Sequence, residues 1–84
     1  MNKVELLITP SDINTIQHAL ESCSEESIEH SENGCKIILS VVEIGQSREV
    51  WNQTHIIRVE RFAGQVYSRK FCKDVRELRE YLEI

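Results

Sequence analysis

The chain has 84 residues, a formal net charge of −4, 40% hydrophobic residues and 29% charged residues. This length predicts a single domain spanning residues 1–84, and the composition is that of a globular protein rather than a disordered chain. No apolar run approaches the ~18 residues of a membrane span, and no signal-peptide pattern is present, so we expect a cytoplasmic protein with no membrane partner.

The N-terminal residues predict a strand followed by a helix. Apolar residues alternate over residues 4–8, which favours a first strand with Leu7 on its outward face. Thr9 is a good N-cap, and Pro10 suits the first helical position because its missing N–H costs nothing there. The apolar residues that follow recur at helical spacing and predict one buried stripe: Ile13, Ile16, Ala19, Leu20 and Cys23.

The middle of the chain combines an acidic segment with an apolar one. Residues 24–34 contain four glutamates and one apolar residue, which predicts a solvated loop that ends in an Asn33-Gly34 turn. The next segment, 35–44, is apolar at both odd and even positions. A strand of this kind is typical of the centre of a sheet.

After a polar connection over residues 45–49, the segment 50–72 predicts one long β-hairpin. A three-residue loop, 62–64, would pair Arg61 with Gln65 and give Gly64 the left-handed conformation that such loops require. This register places the aromatic side chains of the hairpin in the core: Trp51, Tyr67 and Phe71. A two-residue loop would instead move Tyr67 and Phe71 to the opposite face.

Residues 74–84 predict a second helix that begins at Asp74. The predicted element order is β-α-β-β-β-α. We therefore expect an α+β domain with a mainly antiparallel four-stranded sheet and two helices packed on one of its faces.

The sequence offers no catalytic constellation and no cofactor motif. Three cysteines and three histidines do not have the spacing of a zinc site, so we predict no metal and no cofactor. Cys72 lies beside Lys70 and Lys73, which would lower the pKa of its thiol a little, and an inert, partly buried thiol is the alternative. We expect the protein not to be an enzyme.

These exclusions favour a small protein-binding module of inhibitor, immunity or regulatory type, including the types that phages and mobile elements encode. Its partner would be another protein or a second copy of the chain. The expected partner-binding surface is the sheet face away from the helices, with these residues: Leu7, Ile38, Val42, Ile56, Arg58, Glu60 and Lys70.

The alternative function is nucleic-acid binding through the hairpin 50–72, which carries basic and aromatic residues together. The net negative charge of the chain weighs against it, because phosphate binding depends on basic residues.

Overall fold

The computed structural model describes residues 4–44 and 54–84. Its elements are a 3-10 helix (Val4–Leu7), helix α1 (Pro10–Glu21), strands β1 (Glu26–Glu32), β2 (Cys35–Glu43), β3 (His55–Ala63) and β4 (Val66–Cys72), and helix α2 (Val75–Leu82). The strands form one antiparallel sheet in the order β1-β2-β3-β4. The expected α+β class is confirmed. The predicted connection 45–49 and the start of the predicted hairpin, 50–53 with Trp51, lie outside the described residues.

Both helices pack on one face of the sheet, as expected. Every second residue of β2 and β3 points towards them, because side chains alternate across a strand. These inward residues and the apolar stripes of the helices form one buried core, which contains Ile13, Ile16, Ala19, Ile37, Leu39, Val41, Ile57, Val59, Cys72, Leu78 and Leu82.

Helix α1 begins where the sequence predicts. The Thr9 hydroxyl accepts a hydrogen bond from the Asp12 N–H at 3.1 Å, and the Asp12 carboxylate accepts one from the Thr9 N–H at 3.0 Å. This capping box satisfies two backbone donors that a helix start would otherwise leave unpaired. The helix stops at Glu21, so Cys23 does not extend the buried stripe; it is exposed and left-handed, with φ of 56°.

The first predicted strand is wrong. Residues 4–7 form a 3-10 helix, which buries Val4 and Ile8 and leaves Leu6 75% exposed. A 3-10 helix repeats every three residues, so Val4 and Leu7 lie on the same side, and both contact the core. An ion pair between Glu5 and Arg61 of β3 holds this turn against the helical side of the sheet.

The predicted acidic loop is also wrong, because most of it forms β1. This strand pairs with β2 along its whole length, from Glu26 opposite Val41 to Glu32 opposite Cys35. The Asn33-Gly34 turn is confirmed, and both residues have positive φ, as a type I′ turn requires. That turn was the signal for β1, since two-residue Asn-Gly turns commonly join two paired strands. The sequence did not predict this strand because its residues have low β-propensity.

The predicted register of the second hairpin is wrong as well. Ala63 pairs with Val66, so the loop consists of Gly64 and Gln65 rather than residues 62–64. Gly64 has φ of 63°, which matches the first position of a type II′ turn, where glycine is preferred. The change in register moves Tyr67 and Phe71 out of the core and onto the opposite face.

Candidate functional site

The face of the sheet opposite the two helices is called the outer face here. The register of the three strand pairs assigns to it every second residue of each strand. Its members are Ser27, Glu29, Ser31, Lys36, Ile38, Ser40, Val42, Ile56, Arg58, Glu60, Phe62, Tyr67, Arg69 and Phe71.

Aromatic and basic side chains alternate at the β3–β4 end of the outer face. Phe62 and Tyr67 are cross-strand neighbours whose ring centroids lie 4.8 Å apart at an angle of 47°. The ammonium group of Lys36 lies 4.8 Å from the Phe62 centroid, and the guanidinium of Arg69 lies 5.4 Å from the centroid of Phe71. At these distances each cation is attracted by the ring beneath it.

These rings are accessible to a partner. Tyr67 is 48% exposed and Phe71 is 42% exposed, and Phe62, on the inner strand β3, is half-buried. Water therefore wets apolar ring surface that a partner would remove from solvent. We call Phe62, Tyr67, Arg69 and Phe71 the aromatic cluster.

Glu60 organises the polar part of this surface. Its carboxylate lies 3.3 Å from Nε of Arg58 and accepts a hydrogen bond from the Tyr67 hydroxyl at 2.8 Å. The hydrogen bond to Glu60 raises the pKa of Tyr67, because the protonated phenol is the form that donates. This hydrogen bond and the ring contact with Phe62 restrict the orientation of the Tyr67 side chain.

The outer face carries three basic residues and two acidic ones. Lys36 of β2 and Glu29 of β1 are diagonal neighbours whose charged groups lie 3.9 Å apart, and Arg58 is paired with Glu60. Arg69 is the third base and lies in the aromatic cluster. The outer face is thus weakly positive on a chain whose net charge is −4.

Four of the predicted partner-binding residues lie where the sequence placed them. Ile38 and Val42 are half-buried on the outer face of β2, and Arg58 and Glu60 are half-buried on β3. Their part in binding a partner stays a prediction.

Two other predicted positions are wrong, and a third residue lies on the predicted face but is buried. Leu7 belongs to the 3-10 helix and packs against the core instead of facing outwards from a strand. Lys70 is on the helical side of β4, with its ammonium group 5.7 Å from the ring centroid of Tyr81. Ile56 lies on the outer face but is only 3% exposed, which leaves little of it for a partner to contact.

The sequence-based surface omitted the aromatic cluster altogether. The erroneous register placed Tyr67 and Phe71 in the core and gave Arg69 an unfavourable inward position. The inward position of Arg69 was the signal that the predicted register was wrong, because a charged side chain on the core side of a strand costs free energy unless it is paired. Moving the loop to Gly64-Gln65 places Arg69 outside and removes that cost.

The remaining reactive groups do not form a site. Burial raises the pKa of the Cys72 thiol; Lys70 opposes the shift, and Glu77 and Asp74 add to it. Lys70 thus acts in the direction that the sequence predicts, but burial outweighs it, and the buried thiol agrees with the alternative of an inert cysteine. Within residues 4–44 and 54–84, histidine, cysteine and carboxylate side chains do not gather into groups of three or more that could hold a metal ion.

An open groove of about 740 Å³ separates the two helices. Leu20 and Val75 lie along it, and charged residues of both signs surround them, with Arg76 and Glu80 paired at 3.7 Å. This mixed lining favours no particular charge on an occupant, so the outer face is the better candidate site.

No family model matches the chain, and neither the curated proteins nor the solved structures contain a match. In the part of the chain that the structure describes, neither helix has the length and apolar character needed to cross a membrane.

Proposed function

We propose that this protein binds another protein through the aromatic cluster on the outer face. The supporting observation is that Tyr67 and Phe71 are about half exposed on the sheet face that neither helix covers. Arg69 and the Arg58–Glu60 pair surround the rings with polar groups. An aromatic centre with a polar surround is the usual composition of a protein interface.

The energetics favour this kind of partner. Aromatic residues and arginine dominate the binding free energy of protein interfaces, where truncation of one such residue commonly costs ~2 kcal/mol or more. The cross-strand contact between Phe62 and Tyr67 and the hydrogen bond from Tyr67 to Glu60 fix two of these side chains before binding. A preorganised surface loses less conformational entropy when it binds.

The same proposal covers the class and location of the protein. We propose a non-enzymatic module of inhibitor, immunity or regulatory type that works in the cytoplasm. Three free thiols support that compartment, because cysteines stay reduced there. A module of this kind acts by occupying a surface of its partner, for which a small rigid sheet is sufficient.

Single-stranded nucleic acid is the second candidate ligand, and the exposure of Tyr67 and Phe71 is what favours it. Bases stack on exposed aromatic rings, and Arg69 and Lys36 lie close enough to contact a phosphate backbone. Two acidic residues offset the three bases of this face, so few phosphates could be neutralised. The aromatic cluster therefore suits a protein better.

A capture experiment with matched variants tests the proposal. We expect immobilised wild-type protein to retain a partner from nuclease-treated extract of its native host, and Tyr67→Ala/Phe71→Ala to lose it. Arg79→Ala, an exposed change on α2, is the control that keeps binding. Equal capture by the wild type and the double variant would contradict the proposal.

A direct measurement separates the two candidate ligands. Fluorescence anisotropy with single-stranded oligonucleotides at low salt detects phosphate contacts where they are strongest. We expect no binding. Saturable binding that Tyr67→Ala/Phe71→Ala abolishes would favour the nucleic-acid function instead.

A further inference from the structure

The two edges of the sheet have opposite charge. Strand β1 carries three glutamates and no lysine or arginine, whereas β4 carries Arg69 and Lys70 and no acidic residue. Each is the outermost strand on its side among the described residues, with a neighbour on one flank. Residues 66–71 are all exposed, and β1 is exposed except at Ile28 and His30.

The hairpin geometry determines which backbone groups these edges offer. In a hairpin with a two-residue loop, the residues that flank the loop form a hydrogen-bonded pair, and every second pair along the ladder does the same. Ala63 and Val66 flank one loop, and Glu32 and Cys35 flank the other. The residues of the intervening, non-hydrogen-bonded pairs direct their N–H and C=O groups away from the neighbouring strand, towards the free edge of the sheet. They are Ser27, Glu29 and Ser31 on β1 and Tyr67, Arg69 and Phe71 on β4.

We propose that the acidic edge of one copy of this chain pairs with the basic edge of a second copy. Strand 26–32 of one copy would lie antiparallel to strand 66–72 of the next, with Glu29 directly opposite Arg69. Both strands have seven residues, so this register overlaps them completely. It also brings together the three residues on each edge whose backbone groups are directed outwards, which gives about six interchain hydrogen bonds.

The direction of the strands fits this arrangement. Neighbouring strands alternate in direction throughout the sheet, so β1 of a second copy placed beside β4 is antiparallel to it without any reorientation. Glu29 and Arg69 then lie on the same continuous outer face, and the helices of both copies lie on the other. An antiparallel pair with opposite charges at facing positions is stabilised by side chains as well as by the backbone.

A second copy fits these edges better through unlike strands than through like ones. Complete pairing of β4 with its own equivalent would place Arg69 opposite Arg69, and complete pairing of β1 would place Glu29 opposite Glu29. Like charges at facing positions destabilise a strand pair. The favoured contact is therefore heterologous, and a heterologous contact leads to a closed ring or an open filament rather than a two-fold dimer.

The contact is small, because only one strand of each copy takes part. Interfaces of this size are weak and depend on concentration. The Glu29–Arg69 pair is exposed to solvent, so association weakens as salt screens the charges.

Sedimentation velocity over a concentration series tests the proposal with charge-reversal variants. We expect the average mass of the wild-type protein to rise with concentration at low salt. Glu29→Arg and Arg69→Glu should each weaken self-association about tenfold, since each places like charges opposite one another. The double variant E29R/R69E reverses both charges and should restore it.

An equimolar mixture of the two single variants provides the decisive measurement. The reversed charge on β1 of one variant then lies opposite the reversed charge on β4 of the other, and the two unchanged side chains face each other as in the wild type. The mixture should therefore associate more strongly than either variant alone. Circular dichroism of each variant checks that its fold is retained.

Two results would overturn the proposal. One is a wild-type protein that stays monomeric at all concentrations. The other is an Arg69→Glu variant that loses association while Glu29→Arg keeps it, because β1 would then take no part in the contact.

Discussion

The two hairpins of this sheet share their geometry and differ in their chemistry. Each has a two-residue loop and one inner strand that contributes to the core, and Gly64 N–H donates to the Gly34 carbonyl at 3.4 Å where the two loops meet. The outer strand of the first is acidic and polar, and that of the second is basic and aromatic. The inner strands β2 and β3 therefore provide stability, whereas the outer strands β1 and β4 differ in the side chains that they expose.

The two hairpins also connect to the helices differently. His30 of β1 lies 2.8 Å from the Asp12 carboxylate, so a polar contact ties the first hairpin to α1. In the second hairpin, Arg61 and Lys70 lie over the ring of Tyr81 in α2, at 5.0 and 5.7 Å from its centroid. The first connection depends on charge and hydrogen bonding, and the second on an aromatic surface.

The largest expected effect comes from removing what the hairpins share. Ile57 is fully buried where β3 meets β2, so Ile57→Ala should lower the free energy of unfolding by ~3 kcal/mol through lost burial and the cavity left behind. The control is Ile38→Ala, a half-buried outer-face position on the neighbouring strand, with an expected cost of ~1 kcal/mol. Urea denaturation measures both. Equal losses would mean that the outer face is as well packed as the core.

A smaller effect is expected at the turn of the second hairpin. Gly64→Ala should cost ~1–2 kcal/mol, since a residue with a Cβ is strained at φ of 63°. No atom lies within 4 Å of the position a Cβ would take, so the cost is conformational rather than steric. Gln65→Ala, the other loop residue, should be nearly neutral. A stable Gly64→Ala variant would contradict the Gly64-Gln65 loop.

Much of the fold was predictable from local patterns. The Thr9-Pro10 helix start, the central strand and the second helix each have a signal that depends on neighbouring residues alone. Strand β1 could not be predicted from its own residues, because its glutamates and serines favour a solvated loop. Its pairing with the apolar β2 determines the conformation, and that is a tertiary effect.

The candidate site depended on a single feature, the length of one loop. Side chains alternate with a period of two, so an error of one residue in the register exchanges the two faces of β4. The predicted loop placed Tyr67 and Phe71 on the core side of the sheet and Lys70 on the opposite side. In the structure Tyr67 and Phe71 lie on the outer face and Lys70 lies on the helical side. Ile38, Val42, Arg58 and Glu60 were placed correctly, because β2 and the outer face of β3 did not depend on that loop.

The smallest expected effect concerns the polar connection of the first hairpin. Partial burial acts to raise the pKa of Asp12, but hydrogen bonds from Thr9 and His30 outweigh it and leave the pKa below its usual value. A carboxyl group whose pKa is lower in the folded state stabilises the fold above its unfolded pKa. That contribution is lost as the pH falls through the folded pKa, which lies below the usual aspartate value.

In the Asp12→Asn variant the free energy of unfolding should therefore fall less steeply as the pH is lowered. At neutral pH the variant should lose less than ~1 kcal/mol of that free energy, since the site is partly solvated. Urea midpoints measured from neutral pH down to below pH ~3 would show this. Glu21→Gln is the matched control, because it removes the same charge at the other end of α1. If both variants keep the acid dependence of the wild type, the contact between Asp12 and His30 does not tie the hairpin to the helix. Strand β1 would then be held by the packing of Ile28 and by its pairing with β2.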